Sequence, residues 1–138
     1  MSKTFLHRLF GVGTIPREWR TVIDAEGAVA VDEGIGGSIT YRDFRAPGKS
    51  FAWRKVGFTG AIALTNTRLL ALQYSNPAIN VPLADERFEQ LNISLEGGET
   101  LLIAFDPSLF HSDWSGTLEY RFRTSDAAAI LEKLKNRK

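Results

Sequence analysis

Two histidines supply the imidazole groups of this 138-residue chain, and neither has the neighbours that catalysis requires. His7 stands in an apolar N-terminal stretch, and His111 begins the run His111-Ser112-Asp113. Side chains one and two residues apart seldom meet in the geometry of nucleophile, base and orienting carboxylate. A metal centre needs several convergent histidine or carboxylate ligands at suitable spacing. We therefore expect no catalytic residues, no metal site and no cofactor, and we predict that the protein is not an enzyme.

Acidic pairs and glycine clusters are the other groups that could do chemistry. The acidic pairs at residues 32–33 and 85–86 would act as acid and base only in a pocket that shifts their pKa values. We expect them on the solvated surface. The glycine clusters at residues 11–13 and 34–37 lack the strand before and helix after that a nucleotide-binding loop requires. We expect turns there.

A basic segment over residues 42–55 is a candidate binding site. It surrounds a Pro-Gly turn, alternates cationic with aromatic residues, and contains a single acid, Asp43. The candidate anion-binding residues are Arg42, Arg45, Lys49, Arg54 and Lys55. Guanidinium and ammonium groups supply charge-assisted hydrogen bonds to anionic groups. Alternate strand positions point to opposite faces, so the alternative is a solvated hairpin edge that its charges protect against unwanted pairing.

Composition limits the class of protein and its partners. The formal net charge of +1 is too small to predict nucleic-acid or anionic-membrane binding from charge alone. No apolar run approaches the ~20 residues of a membrane-spanning helix, and the N-terminus lacks the apolar core of a signal peptide. The absence of cysteine fits a reducing compartment. We expect a cytoplasmic protein with no transmembrane segment and no nucleic-acid partner.

The first 26 residues predict a short helix and a connector. Apolar residues fall on one helical face over residues 3–10, and a polar connector with Trp19 as an anchor follows Pro16. The candidate interaction residues are Phe5, Leu9, Phe10 and Trp19. This apolar surface either packs on its own domain or mediates self-association.

Alternation of apolar and polar residues predicts about seven to nine antiparallel strands over residues 27–124. The residues typical of turns predict where the strands end. We expect the glycines at 34–37 to end the first strand, and we expect turns at residues 47–48, 66–67, 76–77 and 97–98.

The last segment, residues 125–138, predicts an amphipathic helix that closes the sheet. Thr124 or Ser125 can cap it. Its apolar stripe, at helical spacing, consists of Ala127, Ile130, Leu131 and Leu134. The predicted architecture is a mostly β barrel or sandwich, one domain over residues 1–138, capped by this helix.

One stretch carries a family resemblance. Residues 60–72, GAIALTNTRLLAL, followed by an apolar strand over residues 79–83 and the closing helix, resemble the pleckstrin-homology superfold and, more narrowly, its bacterial and GRAM-like branches. The resemblance covers about residues 27–134. It implies a binding module, and the early hairpin that often holds phosphoinositides in such domains corresponds to the basic segment. The hairpin over residues 38–58 is an extra or enlarged element relative to the family pattern.

Three classes of function remain open on these grounds. The first is a non-enzymatic binding or assembly module that recognises a protein partner or itself through an exposed strand edge and the N-terminal segment. The second is binding of an anionic lipid or phosphate headgroup at the 42–55 hairpin. The third is a lipocalin-like carrier of a small ligand or a small barrel enzyme. It needs an internal cavity, whereas the abundance of Leu, Ile and Phe predicts a filled interior.

Overall fold

The computed structural model describes residues 13–136, which form a seven-stranded antiparallel sheet and two helices. The strands are β1 (Ala28–Ala46), β2 (Lys49–Thr65), β3 (Arg68–Gln73), β4 (Asn76–Pro82), β5 (Asn92–Glu96), β6 (Thr100–Phe105) and β7 (Ser115–Arg123). The helices are α1 (Arg17–Glu26) and α2 (Ala127–Lys135), and short 3-10 helices cover Glu86–Gln90 and Pro107–Leu109. These elements confirm the prediction of a mostly β fold with a C-terminal helix, and a short helix also precedes the first strand.

The strands lie in the order β4-β3-β2-β1-β7-β6-β5. β1 is therefore central, with β2 on one side and β7 on the other. The other neighbouring strands follow one another along the chain, so short connections join them. The β1–β7 pair brings the first and last strands together, and α2 begins directly after β7.

β1 and β2 form one long hairpin that turns at residues 47–48, as predicted. The prediction that glycines 34–37 end the first strand is wrong, because the β1–β2 ladder continues through Gly36 and Gly37. Gly34 lies at a register shift between Glu33 and Ile35 and has a φ of 69°. A glycine with positive φ accommodates the extra residue of a bulge, so the strand bends and does not end. The segments predicted on either side of the glycines are thus one strand.

The other predicted turns have mixed outcomes. Turns occur at residues 66–67 and 97–98 as predicted, the second with positive φ at both glycines. The turn predicted at residues 76–77 is wrong, because β4 already begins at Asn76 and the chain reverses at residues 74–75. Tyr74 adopts a φ of 59°, and its backbone N–H donates to the Thr59 carbonyl over 3.0 Å. Pro77 is tolerated in β4 because β4 is an edge strand.

An inner hydrophobic cluster lies between α2 and the face of the sheet that this helix covers. Buried residues from β1–β4, β6, β7 and α2 meet there, and Ile93 of β5 packs against them. α2 buries Ala127, Ile130 and Leu134 in this cluster and half-buries Leu131, so the predicted apolar stripe is confirmed. The helix therefore closes the core.

A second cluster lies on the opposite, outer face of β2 and β3. Its members are Ile15, Ile23, Ala61, Ala63, Leu70 and Leu72, with Trp19 and Val31 packed against them. Alternate residues of β2 and β3 belong to the inner cluster, so both faces of these strands are covered. Burial on both faces explains why residues 60–72 read as nearly continuous apolar runs.

Helix α1 covers this outer cluster. The prediction of a polar connector after Pro16 is therefore wrong, because a helix occupies residues 17–26. Pro16 has a φ of −59° immediately before the helix, and Trp19 and Ile23 stand four residues apart on its buried side. A proline with preset φ and apolar residues at this spacing favour a helix over a polar connector. The helix predicted over residues 3–10 lies outside the described residues.

Candidate functional site

The five cationic residues predicted to bind an anion occupy separate environments. Arg42 donates from Nε to Glu119 Oε2 over 2.9 Å, and the Arg54 guanidinium lies 5.1 Å from the centroid of the Phe51 ring. Arg45 and Lys49 flank the tip of the hairpin, where Arg45 pairs with Ser50. Lys55 lies several residue pairs away from the tip of the hairpin and lines a groove on the face of the sheet. The hairpin therefore does not gather the five residues into one site.

A ladder of charges crosses the outer face from β1 over β7 to β5. Glu119 accepts from Arg42 and, over 3.2 Å, from Arg121 Nη1. Arg121 also donates from Nε and Nη2 to the two carboxylate oxygens of Glu96, over 2.8 and 3.0 Å. These hydrogen bonds lower the pKa of Glu119 and of Glu96, and Glu96 raises the pKa of Arg121. Glu119, Glu96 and Arg121 therefore stay charged at neutral pH.

Beside this ladder lies the basic groove, a depression of about 460 Å³. Its cationic walls are Lys55 of β2 and Arg121 and Arg123 of β7, and Glu96 is the carboxylate on its rim. The floor includes glycine backbone from β1 and β2, together with Ser38. The register pairs Ser38 with both Gly57 and Arg121, so these residues form one rung of the sheet. The groove thus joins strands that are distant in the sequence.

The second surface of interest is the β5 edge, defined as strand Asn92–Glu96, which pairs with β6 and ends the sheet. Leu95 is 37% exposed, and Ile93 is half-buried. Next to Ile93, an apolar groove of about 150 Å³ separates β5 from α2, where Leu131 and Leu134 contribute to its wall. The β5 edge therefore presents both backbone and apolar side chains.

The opposite edge of the sheet differs in kind. β4 contains Pro77 and Pro82, which cannot donate a backbone hydrogen bond to an added strand. β5 contains no proline. Prolines protect an edge strand against further pairing, so β5 is the more receptive edge.

The residues weighed for catalysis have structural partners. The His111 ring stacks on Trp114 with centroids 3.8 Å apart. Asp32 accepts from the Thr124 hydroxyl over 2.7 Å. Hydrogen bonds from Arg87 lower the pKa of Asp85 to about 2. Within residues 13–136, no three histidine or carboxylate side chains are grouped so that they could hold a metal ion.

The predicted interaction residues divide into two sets. Trp19 is half-buried and packs on the outer cluster of its own chain, which is the intramolecular alternative stated above. Phe5, Leu9 and Phe10 lie outside the described residues, so their role stays a prediction.

Sequence reasoning missed Glu96, Arg121 and Arg123 as site residues. A signal was present, because β7 places Arg121 and Arg123 on the side opposite its buried Leu118, Tyr120 and Phe122. The alternation of residues in β7 did not show which strands pair with it. Only the pairing of β7 with β1, and of β1 with β2, brings these arginines to Lys55.

Comparison of the chain with models of protein families and with curated proteins finds no match in either. Within the part of the chain that the structure describes, neither helix has the length and apolar character to cross a membrane.

Proposed function

We propose that this chain is a non-enzymatic assembly module that associates with a second copy of itself through the β5 edge. The observation that carries the proposal is that β5 is complementary to its own sequence when two copies run antiparallel. Two edge strands that add to each other continue the sheet across a two-fold axis and bury the same surface on both subunits.

The complementarity is clearest with the axis at Ser94. In that register Ser94 faces Ser94 of the second copy, Ile93 faces Leu95, and Asn92 faces Glu96. The apolar residues therefore meet on one face and the polar residues on the other. Cross-strand pairs of this kind each stabilise a sheet by roughly 0.2–1 kcal/mol. Like charges do not oppose one another in this register.

The apolar groove between β5 and α2 supports the same arrangement. A two-fold axis perpendicular to the sheet keeps both copies of α2 on the same side, next to the joined edges. The half-buried Leu131 and the exposed Leu95 then gain apolar neighbours. A five-residue strand pair is short, so this added contact is what raises the buried area towards that of a specific interface.

The proposal includes a pleckstrin-homology-like identity for the fold. The strand order β4-β3-β2-β1-β7-β6-β5, followed by a helix that closes the inner cluster, supports it, together with the resemblance over residues 60–72. A cytoplasmic location belongs to the proposal because the sequence contains no cysteine.

Charge substitution at Ser94 tests the assembly directly. Ser94 is exposed, so Ser94→Lys and Ser94→Glu leave the monomer folded. Each variant alone places like charges opposite each other on the axis, and we expect sedimentation equilibrium to give a dissociation constant about fivefold higher than that of the parent.

Mixing the two variants is the decisive experiment, because it places opposite charges across the proposed two-fold axis. Lysine then faces glutamate, and native mass spectrometry should find heterodimers in excess over either homodimer. A parent chain that stays monomeric at every concentration, or variants that dimerise like the parent, would remove the proposal. Circular dichroism of each variant verifies that it is folded.

A further inference from the structure

The basic groove has a floor that is open to a ligand. Apart from the residues next to it in the chain, a methyl group at Gly57 would meet only the Gly37 carbonyl oxygen within 4 Å, at 3.8 Å, so the floor has room for an added atom there. The Ser38 hydroxyl, on the same rung, faces the same groove. A volume of about 460 Å³ lies within the range of small-ligand sites.

The walls carry more positive than negative charge. Lys55, Arg121 and Arg123 line the groove against the single carboxylate of Glu96. Among residues 13–136, neither Lys55 nor Arg123 forms an ion pair. Lys55 still attracts Glu96 electrostatically and thereby helps to lower the pKa of that carboxyl group. Cationic side chains that converge on one depression and outnumber its carboxylates raise the local concentration of anions.

Arg121 has a different role from Lys55 and Arg123. Its guanidinium group is occupied by Glu96, Glu119 and the Thr40 hydroxyl. These bonds hold Arg121 between Lys55 and Arg123, where its charge adds to theirs. Glu96 meanwhile competes with any anion for Arg121, so it limits how tightly the groove binds.

From this geometry we propose that the basic groove binds a phosphate group, with Lys55 and Arg123 as its charged donors and Ser38 as a hydroxyl donor. Ammonium and guanidinium groups form short, charge-assisted hydrogen bonds to phosphate oxygens. The phosphate can belong to a small phosphate ester or to a lipid headgroup. Trp53 is 59% exposed and lies two residues before Lys55 on β2. Because tryptophan side chains are favoured at membrane–water interfaces, its position supports a lipid headgroup as the source of the phosphate.

Titration with inorganic phosphate at constant ionic strength tests the site. We expect nitrogen–proton NMR shifts to change at the amides of Ser38 and Gly57. Lys55→Gln and Arg123→Gln should each weaken binding about tenfold. Gly57→Val fills the floor and should abolish binding. Glu96→Gln releases Arg121 and should strengthen binding several-fold.

Matched controls distinguish a site from general charge attraction. Arg45→Gln and Lys49→Gln make the same change of charge at the hairpin tip, outside the groove, and should leave phosphate affinity unchanged. Equal weakening by the tip variants and the groove variants would overturn the proposal. Leu95→Lys changes the β5 edge on the face opposite Glu96 and retains every groove residue named here, so its phosphate binding separates this proposal from the assembly through β5.

Vesicle sedimentation identifies the source of the phosphate. Phosphatidylcholine vesicles with and without phosphatidic acid are compared for the parent chain and for the Lys55→Gln/Arg123→Gln double variant. Loss of vesicle binding in the double variant assigns the groove to lipid headgroups. Binding of inorganic phosphate without vesicle binding assigns it to small phosphate compounds. Binding of neither contradicts the proposal.

Discussion

The Thr124 hydroxyl donates a 2.7 Å hydrogen bond to Asp32 Oδ2 and accepts the backbone N–H of Asp126 over 3.1 Å. Thr124 is fully buried and lies between β7 and α2, whereas Asp32 lies in β1. One side chain thus links the central strand to the start of the closing helix.

Thr124→Val is expected to lower the free energy of unfolding by about 1–3 kcal/mol. The substitution keeps the shape but leaves the Asp32 carboxylate and the Asp126 N–H without this partner. Urea denaturation measures the loss. Ser125→Ala is the matched control because Ser125 is exposed, and it should change stability little. Equal losses in the two variants would contradict the role assigned to Thr124.

Ile23→Ala tests whether α1 is an integral part of the fold. Ile23 is 1% exposed in the outer cluster, and truncation of such a residue costs about 2–5 kcal/mol. We expect a lower midpoint of thermal unfolding and faster proteolysis of the N-terminal region. Asp24→Ala, on the exposed side of the same helix, should leave the midpoint unchanged or raise it slightly. A tolerated Ile23→Ala would mean that α1 contributes little.

Two glycines of β2 should differ in how well they tolerate substitution by alanine. At Gly60 an added methyl group would overlap the Leu72 carbonyl oxygen of β3, so Gly60→Ala should destabilise the fold by about 1–3 kcal/mol or more. Gly57→Ala meets no such obstacle and should be nearly neutral. Chemical denaturation of both variants measures the difference, and similar stabilities would refute the close approach of β2 and β3.

Stability should fall in acid. Hydrogen bonds from arginines lower the pKa of Glu26, Glu96, Glu119 and Asp85 in the folded chain. A lowered folded-state pKa stabilises the fold above the ordinary values of 4.5 and 3.8, and this contribution is lost as the pH falls through the lowered values. Urea denaturation from pH 7 to about 3 should show the decline.

The Glu26–Arg68 pair provides the control for that pH dependence. Arg68 donates from Nε and Nη2 to the Glu26 carboxylate over 3.0–3.1 Å. Glu26→Gln removes one titrating group, so the variant should show a shallower slope of stability against pH. An unchanged slope would mean that Glu26 has the same pKa in the folded and unfolded chain.

Leu95→Lys should weaken the proposed dimer without unfolding the monomer. The substitution places an ammonium group opposite Ile93 of the second copy, where an apolar contact is expected. Val29→Lys is the matched control, since Val29 is 39% exposed and lies on β1, away from the β5 edge. Sedimentation velocity compares the two. Equal effects would locate the association elsewhere.

Local signals predicted the elements that local chemistry determines. The Pro-Gly pair at residues 47–48 and the two glycines at 97–98 set the backbone of their turns, so both turns occur as predicted. The apolar stripe of α2, which begins at Ala127, could also be predicted from the sequence, because a helix buries one face at fixed spacing. The number of strands was harder, because the bulge at Gly34 and a turn at residues 34–37 have the same glycine signature.

The basic groove could not be predicted from spacing along the chain. Lys55 and Arg123 are separated by 68 positions, and they meet because β1 lies between β2 and β7. The predicted set at residues 42–55 contained Lys55 because charge density marks a basic segment. It lacked Arg123 because strand order depends on long-range pairing. The connector predicted after Pro16 was wrong for a different reason, because the local signals for a helix, Pro16 and the spacing of Trp19 and Ile23, were present in the sequence.

The position of β1 has a consequence for synthesis of the protein. Its pairs with β7, such as Gly37 with Phe122, join residues that are far apart in the sequence, so β1 is synthesised well before this partner strand. Until β7 emerges from the ribosome, one side of β1 exposes its backbone amides and carbonyls to other nascent chains. The sheet is therefore completed only after β7 has been synthesised, and a chain truncated before β7 leaves one edge of the central strand unpaired.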